Sequence, residues 1–296
     1  MLSEQQIDFF NANGFVIAEN AVSPAQLQSL RDDFARWVTD SKAHETGWGE
    51  TINGKARFDL ERGHCAARPA LRRVNAPHEV SHSYFKVMAD SRMTDMVAAL
   101  IGPDVKLHHT KINSKLPGAA TAVKWHQDFP FTPHSNDSLV TALLMVDDVT
   151  PENGPLEVWP ATHRGEIHSL WHDGKFTGAV SAEVTARALQ NRVVCTAKAG
   201  SVCLMHTRLL HGSAPNHSTA RGRFTFVFMR RLMRFPFHLR RFPHSIRGLL
   251  FGVKIITVFG LSIMILLCPS CPKGHHFLIS SNRADEIGLT KSGWGN

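Results

Sequence analysis

Tyrosine is almost missing from this chain of 296 residues: Tyr84 stands alone beside 18 phenylalanines, so aromatic packing falls mainly to Phe. Cysteine is scarce too. The five present (65, 195, 203, 268 and 271) form no framework of the kind that staples small secreted domains. The opening residues, Met1-Leu2-Ser3-Glu4-Gln5-Gln6-Ile7-Asp8, lack the apolar core of a secretory signal. Both absences point to a reducing, cytoplasmic setting. Acidic side chains are absent altogether from residues 184–284, where 15 Lys and Arg lie. The rest of the chain holds 18 basic against 25 acidic residues. A mildly acidic body is therefore followed by a basic C-terminal third. That asymmetry implies a basic surface segment or an anion site, and it excludes a protein coated along its length by nucleic acid. No internal repeat is present.

What remains is ordinary for a globular chain: 43% hydrophobic and 20% charged residues, enough length for one large domain or a domain with an appendage. Histidine is abundant at 18 copies, which raises the prior for metal chemistry. Ser3-Glu4-Gln5-Gln6 reads as a capping box opening a helix to about Asn11. Gly14 ends it, and Phe15-Val16-Ile17 begins a strand. Ser23-Pro24 starts a second helix, with Leu27, Leu30, Phe34 and Trp37 on one face. Residues 41–82 show no clear period and read as loops at a site mouth. Residues 84–101 return to helical spacing, ended by Gly102-Pro103.

Beyond that point the period becomes two. Strands are expected at 105–115, 122–126, 139–146, 156–159, 193–196, 201–206 and 223–229, separated by turn signals such as Asn153-Gly154-Pro155. Helices followed by many short strands argue for a mainly β fold with flanking α-helices, a sandwich or barrel.

The chemistry concentrates in Trp125-His126-Gln127-Asp128. Residues i and i+2 of a strand share a face, so His126 and Asp128 stand side by side. A later His would complete two imidazoles and one carboxylate around a metal with open positions. His-x-Asp/Glu is expected by chance about 1.5 times in this composition, so the spacing alone is weak evidence. His211-Gly212-Ser213-Ala214-Pro215-Asn216 supplies that later His, between two expected strands. Arg221 and Arg223 follow, and an arginine at a strand start can grip a carboxylate with two parallel hydrogen bonds.

Four ordered segments carry a resemblance: Gln5-Gln6-Ile7-Asp8-Phe9-Phe10 with Gly14-Phe15-Val16; Trp125-His126-Gln127-Asp128-Phe129-Pro130; Glu152-Asn153-Gly154-Pro155-Leu156 with Pro160-Ala161-Thr162-His163-Arg164-Gly165; and His211 to Asn216. Over residues 3–229 the chain resembles the phytanoyl-CoA dioxygenase family of Fe(II)/2-oxoglutarate oxygenases. The resemblance implies a double-stranded β-helix, a jelly roll of the cupin kind, with His126, Asp128 and His211 as iron ligands. It implies an enzyme that hydroxylates an unactivated C–H of a small-molecule substrate, with Fe(II) as cofactor, 2-oxoglutarate and O2 as co-substrates, and release of succinate and CO2. It also implies an arginine on the distal carboxylate of 2-oxoglutarate. Register assigns this to Arg223, with Arg221 as the fallback because the loop after Asn216 differs by one residue from the usual length. Gln127 faces away from iron by alternation; a polar contact with a neighbouring loop or the substrate, and a structural role, both stay open. Ser213 is placed to reach the co-substrate. His163 reads as a loop hydrogen-bonder.

The resemblance stops at Met229, which divides the chain into a 1–229 oxygenase domain and a 230–296 tail, basic and then hydrophobic. Residues 249–268 are apolar except for Lys254 and a few small or polar positions. Three readings stand: a membrane segment with cytoplasmic Arg flanks, a buried helix or strand capping the barrel, or an atypical terminus with no evolved fold. Cys268-Pro269-Ser270-Cys271 with His275-His276 has zinc-ligand types at near-usable spacing. Two rival functions also stay open: a cupin-like metalloenzyme that does not use 2-oxoglutarate, and a membrane-tethered or inactive metal-binding jelly roll.

Overall fold

The computed structural model describes residues 1–117, 122–134, 136–219 and 222–231, together with backbone strands at Val253–Val258, Leu261–Leu266 and Phe277–Leu278. The chain divides into two compact units, Met1–Arg234 and Phe235–Asn296.

The first unit begins as its capping signals require. Helix α1 (Glu4–Asn13) opens on Ser3, whose hydroxyl accepts from Gln6 N–H while the Gln6 side chain returns to Ser3 N–H. Strand β1 (Phe15–Ala18) follows, then α2 (Pro24–Asp40), capped the same way by Ser23 and Gln26. The region expected as loops holds three strands, β2 (Trp48–Ile52), β3 (Lys55–Leu60) and β4 (Leu71–Asn75). The missed signal is Asn53-Gly54. Both residues have positive φ (51° and 77°), the tight hairpin turn that Asn-Gly favours. One expected helix is two, α3 (His82–Ala89) and α4 (Arg92–Ile101), interrupted at Asp90-Ser91 where Ser91 starts the second.

The remaining strands lie close to expectation: β5 (Val105–Lys115), β6 (Val123–His126), β7 (Leu139–Met145) and β8 (Leu156–Val158). A small hairpin β9 (Trp171–His172) and β10 (Lys175–Phe176) and a helix α5 (Ala182–Asn191) come next, followed by β11 (Val193–Cys195), β12 (Val202–His206), β13 (His211–Ser213) and β14 (Gly222–Arg231). They form an eight-stranded antiparallel sheet, β1-β12-β7-β14-β5-β4-β3-β2, and a four-stranded sheet, β11-β8-β13-β6. Two facing antiparallel sheets, with α1–α4 packed on the large sheet and α5 on the small one, make the jelly roll.

Strand alternation sorts the core into two layers. Val16, Val140, Ala142, Leu144, Val202 and Leu204 face the helices, where Leu30, Phe34 and Trp37 meet them. Phe15, Leu143, Met145, Cys203 and Met205 face the small sheet and pack on Leu156, Val158 and Cys195. Every residue of β7 is therefore buried. Each large apolar side chain withdrawn from water there contributes about 1.5–3 kcal/mol.

The second unit contains an antiparallel hairpin of Val253–Val258 with Leu261–Leu266, joined by Phe277–Leu278. No helix among the described residues is long and apolar enough to cross a membrane. The apolar stretch 249–268 holds two short strands, so the membrane reading, one of the three, finds no support. Cys268, Cys271, His275 and His276 lie outside the described residues.

Candidate metal centre and its pocket

His126 and His211 are direct cross-strand partners of β6 and β13. Their rings lie 4.2 Å apart between centroids, tilted by 53°. β6 ends at His126, so Asp128 is delivered by the turn that follows rather than by the strand. Its Oδ1 lies 3.4 Å from His126 Nε2 and 3.7 Å from His211 Nε2. One ligand atom from each of the three residues falls within 4.8 Å of the others, the one such cluster of three or more among the described residues.

The surrounding hydrogen bonds orient all three groups. His126 Nδ1 donates to Lys124 O at 2.7 Å, and His211 Nδ1 donates to Leu209 O at 2.9 Å. With Nδ1 carrying the proton, each Nε2 lone pair is left for a metal. Thr141 Oγ1 donates to Asp128 Oδ2 at 3.0 Å and fixes the carboxylate from β7. Burial pushes the His211 imidazole down to about 4, helped by His126, so the ring is neutral at neutral pH. Burial favours protonating Asp128, but His211 and His126 outweigh it and hold the carboxyl below the usual carboxylate range. Two imidazoles and one carboxylate on one side of a cavity suit a divalent iron ion.

The cavity has a volume of about 770 Å³, its open mouth included. The triad stands on the small-sheet side. Across from it, β5 presents Lys111, Asn113 and Lys115, alternate residues on one face, while Ile112 between them joins the helix-side core. β4 adds Arg73, directly opposite Asn113, with Arg73 Nε donating to Asn113 Oδ1 at 3.2 Å. Arg72 and Glu61 also border the cavity, and Arg72 is paired with Asp59 at 2.7 Å. Lys115 Nζ donates to Ser213 Oγ at 2.7 Å and to Ala214 O. Burial pushes this ammonium down to about 8, with Glu157 opposing. Gly154 makes room for the Lys115 stem: at its φ of +80° a Cβ would come within 2.6 Å of Lys115 Cδ.

The other expected residues are placed elsewhere. Arg223 pairs across β14 with Ser114, not with Asn113 or Lys115, and so belongs to the helix-facing side. Its Nε and Nη2 donate to the two oxygens of Asp147 at 2.7 and 2.6 Å, and its guanidinium lies over the Phe34 ring. It is not among the residues lining the cavity. Gln127 is fully buried and also turned away. Its Nε2 donates to Arg208 O and Glu166 O, and its Oε1 accepts from His168 N–H. These are polar contacts with two neighbouring loops. Arg221 lies outside the described residues. Ser213 borders the cavity. His163 bonds Asn11 O, as a loop histidine does. Sequence reasoning passed over Arg73, Lys111, Asn113 and Lys115. The alternation Lys-x-Asn-x-Lys within an expected strand was the available sign of a polar inner face.

Comparisons with known proteins point to one family. The profile of the phytanoyl-CoA dioxygenase (PhyH) family matches residues 10–224. A probable alpha-ketoglutarate-dependent hypophosphite dioxygenase of Stutzerimonas stutzeri is 31% identical over 77% of this chain and 78% of that protein. An ectoine dioxygenase of Nocardia farcinica is 26% identical over 72% of each. The crystal structure of EctD from S. alaskensis with 2-oxoglutarate and 5-hydroxyectoine superposes with a TM-score of 0.61 at 23% identity, covering 78% of this chain and 76% of that one, and shows the same fold.

Proposed function

Because the chain belongs to the phytanoyl-CoA dioxygenase family, we propose that His126, Asp128 and His211 hold Fe(II) and that Lys115 with Ser213 receives the distal carboxylate of 2-oxoglutarate. The protein is an Fe(II)- and 2-oxoglutarate-dependent dioxygenase, a hydroxylase of a small molecule. When bound, the iron with 2-oxoglutarate and O2 supplies the oxidising power to hydroxylate an unactivated C–H, releasing succinate and CO2.

The chain's own residues set the geometry. The Leu209 and Lys124 carbonyls lock the two imidazoles, and Thr141 locks the carboxylate, so the three ligand atoms converge on one point. The buried ammonium of Lys115 sits beside a hydroxyl, a donor pair that suits a carboxylate oxygen. Arg223 takes no part in that contact in this reading; it ties β14 to Asp147. The catalytic body is assigned to residues 1–229, with 230–296 as an appendage. The free Cys65, Cys195 and Cys203 support a reducing cytoplasmic location.

The observation that carries this reading is the convergence of two Nδ1-anchored imidazoles and one hydroxyl-anchored carboxylate within 4.8 Å. The test is anaerobic addition of Fe(II) and 2-oxoglutarate, monitored for the visible charge-transfer band of the chelate. The band should form with the wild type and vanish in His211→Ala. Lys115→Met should raise the 2-oxoglutarate concentration needed for it at least tenfold. A band that persists without His211 would overturn the ligand set.

A further inference from the structure

The inner face of the large sheet is apolar where β1, β12 and β7 carry Phe15, Met205 and Leu143, and it turns cationic at β5 and β4. Cations withdrawn from water cost several kcal/mol each unless an anion meets them. Resting on the 2-oxoglutarate reading above, we propose that the substrate is a small anion, a carboxylate or an oxyanion, and that Arg73, aligned by Asn113 and flanked by Lys111, receives its charge across the cavity from the iron triad.

The cavity lining carries Arg73, Lys111 and Lys115 beside Glu61 and Asp128, and Arg72 is paired with Asp59. Placement supports the proposal. Arg73 and Asn113 are a direct cross-strand pair, and Lys111 and Lys115 are the next residues on the same face in either direction. Such diagonal neighbours lie about 7–8 Å apart. Lys115 is engaged by Ser213 at one end of the row, so Arg73 and Lys111 form a second cationic position at the other. The guanidinium is held through Nε by Asn113 Oδ1, which leaves its two terminal nitrogens side by side, the fork that matches two oxygens of one anion. A neutral substrate would leave that fork unmatched.

The experiment uses the full chain loaded anaerobically with Fe(II) and 2-oxoglutarate, so the chelate band first reports whether the co-substrate reading holds. Hypophosphite and isobutyrate are then titrated as anionic probes, with isobutyramide as the neutral counterpart of isobutyrate. At least one anion should perturb the band at a tenfold lower concentration than isobutyramide and, in air, accelerate succinate formation. Arg73→Gln should weaken that response at least tenfold while the 2-oxoglutarate midpoint moves less than twofold. Arg73→Lys should recover part of it. Asn113→Asp, which sets a carboxylate against Arg73, should suppress it. The proposal is overturned if isobutyramide acts as well as isobutyrate, if the anions act only by displacing 2-oxoglutarate, or if Arg73→Gln lowers 2-oxoglutarate and probe responses equally. Absence of the chelate band in the wild type would instead bring down the co-substrate reading itself.

Discussion

Thr141→Val removes one hydroxyl and little else, and it tests how the metal centre is held. Thr141 is fully buried on β7, and its Oγ1 donates to Asp128 Oδ2 at 3.0 Å. A hydrogen bond to a charged group is worth about 1.5–3 kcal/mol. Loss of such support costs roughly 10- to 100-fold in metal affinity, which is about 1.4–2.8 kcal/mol, so the two scales agree. Metal at 100 times its Kd stabilises the wild type by about 2.7 kcal/mol, or roughly 5–11 °C in melting temperature for a protein of this size. At the same metal concentration the variant would sit at about one to ten times its own Kd and gain only about 0.4–1.4 kcal/mol. The assay is an anaerobic melt with and without Fe(II), paired with the Fe(II) concentration that gives half-maximal 2-oxoglutarate turnover. That midpoint should rise by one to two decades, with a smaller change in kcat at saturating iron. A folded variant whose iron midpoint stays within twofold of wild type would refute the reasoning.

Arg223→Met should act on stability and spare the co-substrate. Asp147 would lose a two-pronged partner at a site only about a sixth exposed, and we expect a loss of about 2–4 kcal/mol in denaturant melts with a 2-oxoglutarate midpoint within twofold of wild type; the reverse pattern would return Arg223 to the pocket. Gly154→Ala should raise the 2-oxoglutarate requirement, because the new Cβ meets Lys115 Cδ at 2.6 Å, and steady-state KM for 2-oxoglutarate reads this directly. Acid should destabilise the fold through His206, pushed down to about 4 by burial, with His163 and Arg208 adding and Asp137 opposing. Between about pH 6.5 and pH 4 the unfolded chain binds a proton there that the folded one does not. Stability is therefore full above that window and falls within it by up to about 1.4 kcal/mol per pH unit for this histidine. Melts of His206→Gln should show a shallower decline over the same range.

The parts of the molecule that announce themselves in sequence are those governed by local rules. Ser3 and Ser23 cap helices because serine followed by glutamine closes both arms of a capping box. β5 was bounded correctly because alternation is its own signature. His126, Asp128 and His211 could be named from their motifs, and the fold brings them together. Arg223 shows what local reading cannot reach. Which face of β14 it occupies depends on its register against β5, set by contacts more than a hundred residues apart. A shift of one residue exchanges the two faces of a strand, and the one-residue difference in the loop after Asn216 sits where such a shift would arise. The strands within 41–82 were missed for a related reason. They are short, rich in charge and stabilised by pairing along the sheet rather than by a strong apolar pattern of their own.

The division of labour along β5 reaches beyond this one protein. Ile112 belongs to the scaffold, whereas Lys111, Asn113 and Lys115 belong to the chamber. In the reading proposed above, exchanging Lys111 or Asn113 would alter what the chamber welcomes while Lys115 keeps the co-substrate and Ile112 the scaffold. A lineage built on this plan can trade one foodstuff for another by point replacement, without first having to invent a new way to fold.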